Sequence, residues 1–243
     1  LAAQSYVDYS FEDEFSTLTS NINSTHYCLS AIRELKLDTK FYFAGSSEMF
    51  GKVRETPQTE NTAFHPRSTY GISKVAGFEL TRNYREAYNI HASTGILFNH
   101  ESERRGFEFV TRKISYSAAR IKLNLQKKLE IGNLNAKRDW GYAPEYVKAM
   151  WLMLQENKPD DYVVGTGNVY SVKQFAKKAF QVLDLNYENF IKTNKKFFRP
   201  SEVELLCSNP RKIRKKIGWK SKLTIDQLVE KMVVNDYNLL KKS

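Results

Sequence analysis

The chain of 243 residues is long enough to bury a full hydrophobic core, as one large domain or two small ones. Hydrophobic residues make up 41% and charged residues 27%, which is typical of a soluble globular protein. No apolar run approaches the roughly 18 residues that span a bilayer. The N-terminal segment also lacks a signal peptide, so the sequence predicts a cytoplasmic protein with no membrane partner.

The formal net charge is +11, and a basic run at residues 211–222 contributes to it. Such a run suits nucleic acid, but single-strand binders interleave stacking aromatic side chains with the charge, and here only Trp219 is available. We therefore expect no nucleic-acid partner, since a basic surface equally suits a small anionic substrate. Cys28 and Cys207 lack metal-type spacing and are expected to be reduced thiols, with no metal site.

Helical and strand-like segments alternate along the chain, which is typical of an α/β fold with a parallel sheet. In chain order, the pattern predicts a helix over residues 12–37, a buried strand over 40–45, a helix over 69–88 and a strand over 91–98. It then predicts a helix over 110–125, a strand over 129–131, a helix over 144–155, a strand over 161–164, a helix capped by Ser171 that runs to 183, and a final amphipathic helix over 225–240.

Tyr70 and Lys74 stand near the start of the helix predicted over 69–88, one helical turn apart, so their side chains point to one side. A tyrosine with its ordinary pKa of about 10 is a poor base at neutral pH. A lysine ammonium nearby, together with the positive ring of a cofactor, lowers that pKa. The phenolate can then take a proton from a sugar hydroxyl while a hydride leaves the same carbon. The spacing alone is weak evidence, because an exposed helix pair produces it too.

Polar side chains follow the strands on either side of that helix. Ser46 and Glu48 come directly after the strand over 40–45, and Asn99 and His100 follow the strand over 91–98. Because ligands of open α/β sheets bind at the carboxyl ends of the strands, these side chains should meet the tyrosine and lysine at one crevice. A purely structural interpretation does not require polar residues at each of these strand ends.

Several longer motifs are distributed along the chain. They are Leu-Ala-Ala-Gln-Ser at 1–5, Ser-Ser-Glu-Met-Phe-Gly at 46–51, Pro-Arg-Ser-Thr-Tyr-Gly at 66–71, Gly-Ile-Leu-Phe-Asn-His-Glu-Ser at 95–102, Arg-Arg-Gly at 104–106, Phe-Val-Thr-Arg-Lys at 109–113, Gly-Asn-Leu-Asn-Ala-Lys-Arg-Asp-Trp-Gly at 132–141 and Phe-Arg-Pro-Ser-Glu-Val at 198–203. These motifs resemble those of GDP-mannose 4,6-dehydratases, which are extended short-chain dehydrogenase/reductases. The resemblance spans nearly the whole chain, and its longer motifs are specific to this dehydratase rather than to the superfamily.

The resemblance implies an NAD(P)-binding, Rossmann-like, doubly wound parallel sheet with a smaller C-terminal substrate lobe. Residues 1–105 would form the end of the cofactor domain and residues 106–243 mostly the GDP-sugar lobe, with a segment at about 133–170 returning to the cofactor domain. No Gly-x-x-Gly-x-x-Gly turn occurs in the chain. We therefore expect an incomplete sheet whose first βαβ units precede Leu1, and we expect Gly165 and Gly167 to form a plain strand-to-helix connection.

The implied activity is that of a hydro-lyase. It converts GDP-mannose to GDP-4-dehydro-6-deoxymannose with NADP, on the way to GDP-fucose and other deoxyhexoses. Tyr70 would deprotonate the C4 hydroxyl, Lys74 would hold the cofactor ribose and Ser46 would hydrogen-bond the C4 oxygen. Glu48 would remove the C5 proton and then protonate the departing C6 hydroxyl. The chemistry needs one carboxyl group that both accepts and gives a proton beside the sugar.

The resemblance also implies the binding residues. The cofactor would lie along Leu1, Ala2, Ala3, Lys74, His100 and Arg105, and the GDP-sugar would be held by Asn99, Lys113, Arg138, Arg199 and Glu202. A guanidinium fork fits diphosphate oxygens better than an ammonium does, which supports the arginines. In the family the double-Arg loop, here at 104–105, reaches a neighbouring subunit, which implies a homo-oligomer, either a dimer or a tetramer.

Two alternatives remain open at the level of sequence. One is a dehydratase of another nucleotide sugar, such as a GDP-heptose, or an epimerase. Glu48 favours dehydration because an epimerase needs no acid for loss of water at C6. The other is an inactive fragment of such an enzyme, against which the intact set of Ser46, Glu48, Tyr70 and Lys74 argues.

Overall fold

The computed structural model describes residues 3–198 and 201–242. Its α-helices are α1 (Tyr9–Glu12), α2 (Glu14–Leu18), α3 (Ser24–Glu34), α4 (Thr69–Tyr88), α5 (Val110–Lys122), α6 (Ala143–Gln155), α7 (Val172–Gln181), α8 (Arg211–Ile217) and α9 (Ile225–Lys242). Its strands are β1 (Phe41–Ser46), β2 (Ala92–Leu97), β3 (Asn99–Glu101), β4 (Leu129–Ile131), β5 (Lys137–Arg138), β6 (Trp140–Tyr142), β7 (Asp161–Val164), β8 (Tyr170–Ser171) and β9 (Ile191–Thr193). None of the described helices combines the length and apolar character needed to cross a membrane.

A parallel three-stranded sheet in the order β1-β2-β7 forms the centre of the fold. Every residue of β2 is buried, as expected of a parallel strand that is covered on both faces. Among the described strands, β1 pairs with β2 alone. The carboxyl ends of β1 and β2 lie side by side, because Ser46 is in register with Leu97.

Helices cover both faces of this sheet. Phe43 of β1 packs against α4, where a Cβ added at Gly77 would lie 2.4 Å from the Phe43 ring. Its neighbour Tyr42 packs instead against a buried cluster that includes Tyr146 and Met153 of α6. Because successive side chains of a strand point to opposite faces, α4 and α6 cover opposite sides of the sheet. The prediction of a doubly wound α/β fold is therefore confirmed.

Helix α4, which carries Tyr70 and Lys74, is fixed at both ends. At its start, Ser68 Oγ accepts a hydrogen bond from the Gly71 amide at 3.0 Å, and the buried Asn21 donates to Ser73 Oγ at 3.0 Å. Near its end, Arg85 donates to both carboxylate oxygens of Asp161 on β7, at 2.9 and 2.6 Å. Such a bidentate pair fixes direction as well as distance.

A second hydrophobic core lies between α5, α7 and α9. It includes Phe175 and Phe180 of α7 and Val229 and Met232 of α9, all fully buried. The short parallel pair of β4 and β9 borders the same core. Helix α6, in contrast, packs on the central sheet, to which strand β7 belongs. The predicted division of the chain into cofactor and substrate domains at residue 105 stays a prediction.

The helix predicted over residues 12–37 is found over residues 14–34 as one helical run of α2, a π-helical turn at Thr19–Asn23 and α3. It begins later and ends earlier than predicted, and the separate short helix α1 precedes it. The break falls at Asp13, whose φ of −133° is not helical and whose side chain accepts from the Ser16 amide at 2.9 Å. Aspartate competes for backbone donors in this way, so it begins a helix more readily than it continues one.

The connection after β7 differs slightly from its prediction. The segment with Gly165 and Gly167 does not lead directly from β7 into a helix. It leads into the short strand β8, which precedes α7. Gly167 has a φ of 83°, a conformation that glycine adopts readily. The predicted cap of α7 is confirmed, since Ser171 Oγ accepts from the Gln174 amide at 3.1 Å.

Candidate active site

A cleft of about 750 Å³ opens at the carboxyl ends of β1 and β2. It brings together every sequence-predicted site residue of the described part of the chain. These are Ala3, Ser46, Glu48, Tyr70, Lys74, Asn99, His100, Arg105, Lys113, Arg138 and Glu202. Leu1, Ala2 and Arg199, which were predicted to bind cofactor or substrate, lie outside the described residues.

The turn after β1 places Ser46 and Glu48 against the start of α4. Ser46 Oγ accepts from the Glu48 amide at 3.2 Å and so caps the 3₁₀ turn Ser47–Met49. A Cβ added at Gly71 would lie 2.8 Å from the backbone oxygen of Glu48. Glycine therefore allows α4 to approach this turn closely, which brings the Tyr70 phenol near the serine hydroxyl.

The Tyr70 phenol is buried in the floor of the cleft. Burial raises the pKa of Tyr70, and the negative charge of Glu48 raises it further. A hydrogen bond with Ser46 and the positive charge of Arg105 lower the pKa in part. The expected lowering by Lys74 is therefore not found among the protein's own groups. The physical reason is desolvation, which penalises a phenolate held away from water.

Lys74 lies one turn further along α4, also buried. Its ammonium nitrogen donates to the Ala44 carbonyl at 3.0 Å and lies 5.7 Å from the centre of the Tyr70 ring. Burial lowers the pKa of Lys74 to about 8. The amine thus faces the cleft between the end of β1 and the tyrosine, with hydrogen-bonding capacity beyond its one bond to Ala44.

Asn99 and His100 reach the cleft on β3, which pairs in parallel with β6. The imidazole is held from two sides, because Nδ1 lies 2.9 Å from the Phe98 carbonyl and the ring stacks on Tyr146 with centroids 5.0 Å apart. Burial lowers the pKa of His100, so the ring is neutral at physiological pH. A neutral imidazole bonded to a carbonyl through Nδ1–H leaves Nε2 as an acceptor.

Arg105 is held by residues that the sequence analysis did not select. Its Nε lies 3.1 Å from Glu101 Oε2, and its guanidinium carbon lies 3.4 Å from the centre of the Phe109 ring. Tyr6 contacts the same ring edge-on, with centroids 5.5 Å apart. The signal for Glu101 and Phe109 was their place inside two of the matching motifs. No comparable signal marked Tyr6.

The opposite wall of the cleft carries further positive charge. Lys113 lies 3.9 Å from the centre of the Phe197 ring, and burial lowers the pKa of Lys113. Arg138 is buried, and its Nη2 lies 3.4 Å from Oε1 of Glu202. An ammonium beside an aromatic ring and a buried guanidinium in the same cleft suit a ligand that joins a flat base to phosphate groups.

The cleft also fits the flat, positively charged ring of a nicotinamide cofactor at its sheet side. Ala3, Ala44 and Gly45 line this part and leave room for a ring, while Lys74 and His100 supply polar atoms beside it. A glycine-rich phosphate turn occurs nowhere in the chain, so these residues fit the nicotinamide end of the cofactor rather than its adenosine phosphates.

A doubly wound parallel sheet, with Tyr70 and Lys74 on a crossover helix and Ser46 at the end of the preceding strand, defines a short-chain dehydrogenase/reductase. The sequence model of one family within that class, described as GDP-mannose 4,6 dehydratase, matches residues 1–232. The chain belongs to this family.

Curated relatives agree with the family match. The chain is 48% identical to GDP-mannose 4,6 dehydratase 1 of Arabidopsis thaliana, covering 100% of this chain and 68% of that protein. It is 44% identical to the Homo sapiens GDP-mannose 4,6 dehydratase, covering 99% and 70%. For the Vibrio cholerae enzyme the identity is 41%, covering 97% and 71%. These relatives do not favour the alternative of an epimerase or of a dehydratase for another sugar.

Solved structures share the fold. The RMD protein of Pseudomonas aeruginosa, complexed with NADPH, superposes with a TM-score of 0.89 at 23% identity, covering 98% of this chain and 80% of that one. The dTDP-glucose 4,6-dehydratase DesIV of Streptomyces venezuelae, with NAD and TYD bound, gives 0.88 at 16% identity, covering 100% and 73%. At such identities the likeness shows the fold alone, and it is a fold that binds nicotinamide cofactors in these proteins.

Proposed function

We propose that the chain dehydrates GDP-mannose to GDP-4-dehydro-6-deoxymannose, with no net oxidation, as a hydro-lyase. The observation that carries the proposal is the convergence of Ser46, Glu48 and Tyr70 on one cleft. It supplies a base for a hydroxyl, a hydrogen-bond donor for the same oxygen, and a buried carboxyl group for the loss of water. Membership of the dehydratase family supports the choice of substrate.

Tyr70 takes the proton of the C4 hydroxyl, and Ser46 hydrogen-bonds the same oxygen as it becomes a carbonyl. The Ser46 hydroxyl already accepts from the Glu48 amide, so its own proton is available to donate. A nicotinamide cofactor held beside Ala3, Lys74 and His100 would supply the hydride acceptor for C4 and the hydride donor for C6. Lys74, whose ammonium nitrogen lies 5.7 Å from the centre of the Tyr70 ring, would hold the cofactor ribose. The positive ring of the bound cofactor would favour ionisation of the phenol against the cost of burial.

Glu48 acts on the two carbons beyond C4. Once C4 is a ketone, the proton on C5 is acidic, and the Glu48 carboxylate removes it. The carboxyl group then gives that proton to the C6 hydroxyl, which leaves as water. C6 gains the hydride and C5 regains a proton. This gain of one proton offsets the proton that Tyr70 took from the C4 hydroxyl. Atoms and electrons therefore balance over the cycle.

The finer assignments follow the family resemblance. NADP, rather than NAD, is the proposed cofactor, beside Ala3, Lys74, His100 and Arg105. Asn99, Lys113, Arg138 and Glu202 would hold the GDP-sugar, and Leu1, Ala2 and Arg199 keep their predicted roles. Arg104 is exposed, as a residue that reaches a second subunit must be, and a dimer or tetramer stays the prediction. The cytoplasmic location also stays a prediction.

The test is to incubate the purified protein with NADP and GDP-mannose and to follow the nucleotide sugar by mass spectrometry. We expect a product that is lighter by one water and that reacts with a carbonyl reagent. Binding of NADPH is measured separately by its fluorescence, so that a failure to bind cofactor is recognised as such. A cofactor-loaded protein that leaves GDP-mannose unchanged would falsify the proposal. If such a protein dehydrates a GDP-heptose instead, that sugar replaces GDP-mannose as the substrate.

A further inference from the structure

A buried ion pair lies behind the loop that carries Arg105 into the cleft. Arg112 of α5 and Asp236 of α9 have side chains that are 5% and 0% exposed, and 2.7 Å separates Nη2 from Oδ1. Ser115 Oγ donates to the other carboxylate oxygen of Asp236 at 2.6 Å. Neither member of the pair is among the described residues that line the cleft, so neither contacts a ligand there.

The other amino group of Arg112 faces the loop. Nη1 donates to the Arg105 carbonyl at 3.1 Å and also to the carbonyl of Glu103. The Phe107 ring covers the guanidinium, with its centre 4.7 Å from the guanidinium carbon. A guanidinium is a rigid plane of donors, so fixing one amino group on Asp236 fixes the direction of the other.

The same loop segment determines where the Arg105 side chain points. The Arg105 amide donates to the Ser102 carbonyl at 3.1 Å, while the guanidinium pairs with Glu101 and lies over Phe109. Arg105 is thus held by its backbone from behind and by its side chain within the cleft. A shift of the backbone would move the guanidinium off both of its partners.

We propose that Arg112 and Asp236 are positioning residues for the cofactor side of the cleft. Their ion pair holds residues 103–105 in the register that directs Arg105 inward, so the last helix of the chain controls how tightly a nicotinamide cofactor is bound. The inference rests on the proposed function for the identity of that cofactor. Loss of either partner leaves an unpaired buried group, which the structure relieves by releasing the loop.

The test uses Asp236→Asn, which keeps the shape of the side chain and removes its charge. The matched control is Asp226→Asn, on the same helix, where the ion pair with Lys178 has a carboxylate side chain that is 68% exposed. Amide hydrogen exchange is measured by mass spectrometry, NADPH binding by fluorescence titration and GDP binding by calorimetry. In Asp236→Asn we expect exchange within residues 102–109 to rise about tenfold and NADPH affinity to fall about tenfold, with GDP affinity unchanged.

Exchange in the loop at the rate of the unchanged protein overturns the proposal. So does a parallel loss of GDP and NADPH affinity with faster exchange throughout α5 and α9, which marks general destabilisation. If Asp236→Asn does not fold, Arg112→Lys is measured, since it keeps the charge but cannot bridge both partners. Normal loop exchange in Arg112→Lys rejects the idea. Amide hydrogen exchange is measured without turnover. If the protein does not act on GDP-mannose, the difference in loop exchange between Asp236→Asn and the unchanged protein is therefore still observed.

Discussion

The side-chain amine of Lys74 is buried and largely shielded from water. Burial lowers its pKa to about 8 from an ordinary value of 10.5. The folded state therefore binds this proton less well than the unfolded state does. At pH values below 8 both states are protonated and the folded state bears the full cost. Between pH 8 and 10.5 the unfolded chain holds the extra proton, so stability rises with pH, and above 10.5 the cost is gone.

Lys74→Met should consequently stabilise the protein at pH 7, by about 2 kcal/mol, while abolishing turnover. Methionine fills the volume of the lysine stem without a charge. The measurement is the free energy of unfolding in urea at pH 7 and at pH values above 10.5, where the gain should vanish. Lys148→Met, at an exposed position of α6, is the control and should change little. Equal stabilities of Lys74→Met and the unchanged protein at pH 7 contradict this account.

Glu48→Gln isolates the second half of the proposed reaction. The amide keeps the size and burial of the side chain but can neither accept the C5 proton nor protonate the C6 hydroxyl. We expect product formation to fall about a thousandfold, while a slow oxidation at C4 continues and NADPH accumulates. Absorbance of NADPH and the mass of the sugar are followed together. Full turnover in this variant would remove Glu48 from its role.

Most of the site could be predicted from motifs and strand ends, because the parallel sheet brings those ends to one edge. The partners that orient the predicted residues could not. Asn21 binds to Ser73 across a separation of 52 residues, and no local spacing encodes such a contact. The rise in the Tyr70 pKa could not be predicted either, since spacing reveals the neighbouring amine but not the depth of burial.

At the scale of elements, the contact between α4 and the turn after β1 depends on Gly71. Its absent Cβ would meet the Glu48 backbone oxygen at 2.8 Å and the Pro66 side chain at 3.0 Å. Backbone cannot move aside as a flexible side chain can. Any larger residue therefore pushes the start of α4 away from the turn that carries Ser46 and Glu48.

Gly71→Ala should lower the rate constant kcat about a hundredfold, because a small displacement of a catalytic group has a large effect on rate. It should also destabilise the protein, although alanine favours a helix over glycine by about 1 kcal/mol. Kinetics and thermal unfolding measure the two effects. Ile72→Ala, at an exposed neighbouring position, serves as the control. A more stable, fully active Gly71→Ala variant would show that the close approach is unimportant.

Elements that carry an apolar run or a clear period could be predicted, and those without one could not. The bounds of α4, β4 and β7 match their predictions, since periodicity and apolar runs identify such segments. The strands β3, β5, β6, β8 and β9, of two or three residues each, carry no such signal. They exist because a distant partner pairs with them, and that partner is not visible in a local pattern.

At the scale of the whole molecule, Asp139 joins three separate segments. Its buried carboxylate accepts from the Thr166 amide at 3.0 Å, the Gly167 amide at 2.9 Å and the Ser208 amide at 3.3 Å, and from the hydroxyls of Thr166 and Ser208. The neighbouring Arg138 lines the cleft. The carboxylate therefore connects the chain between β5 and β6 to the segment that follows β7 and to the segment before α8.

Asp139→Asn should lower the free energy of unfolding by about 3 kcal/mol, because an amide nitrogen turned toward these donors leaves buried groups unpaired. Urea unfolding provides the measurement. Asp226→Asn, which breaks an exposed ion pair, should cost less than about 1 kcal/mol. An equal, small loss in both variants would show that Asp139 does not join the segments energetically.

The anchoring of α4 at both ends has a consequence for how ligands enter and leave. Asn21 and Ser68 fix its start and Arg85 fixes its end to β7, so the tyrosine side of the cleft is held in place. The wall with Phe197 depends instead on side-chain contacts, because the exposed Phe197 ring lies against the ammonium groups of Lys113 and Lys196. We therefore expect a ligand that enters or leaves the cleft to displace these side chains rather than helix α4.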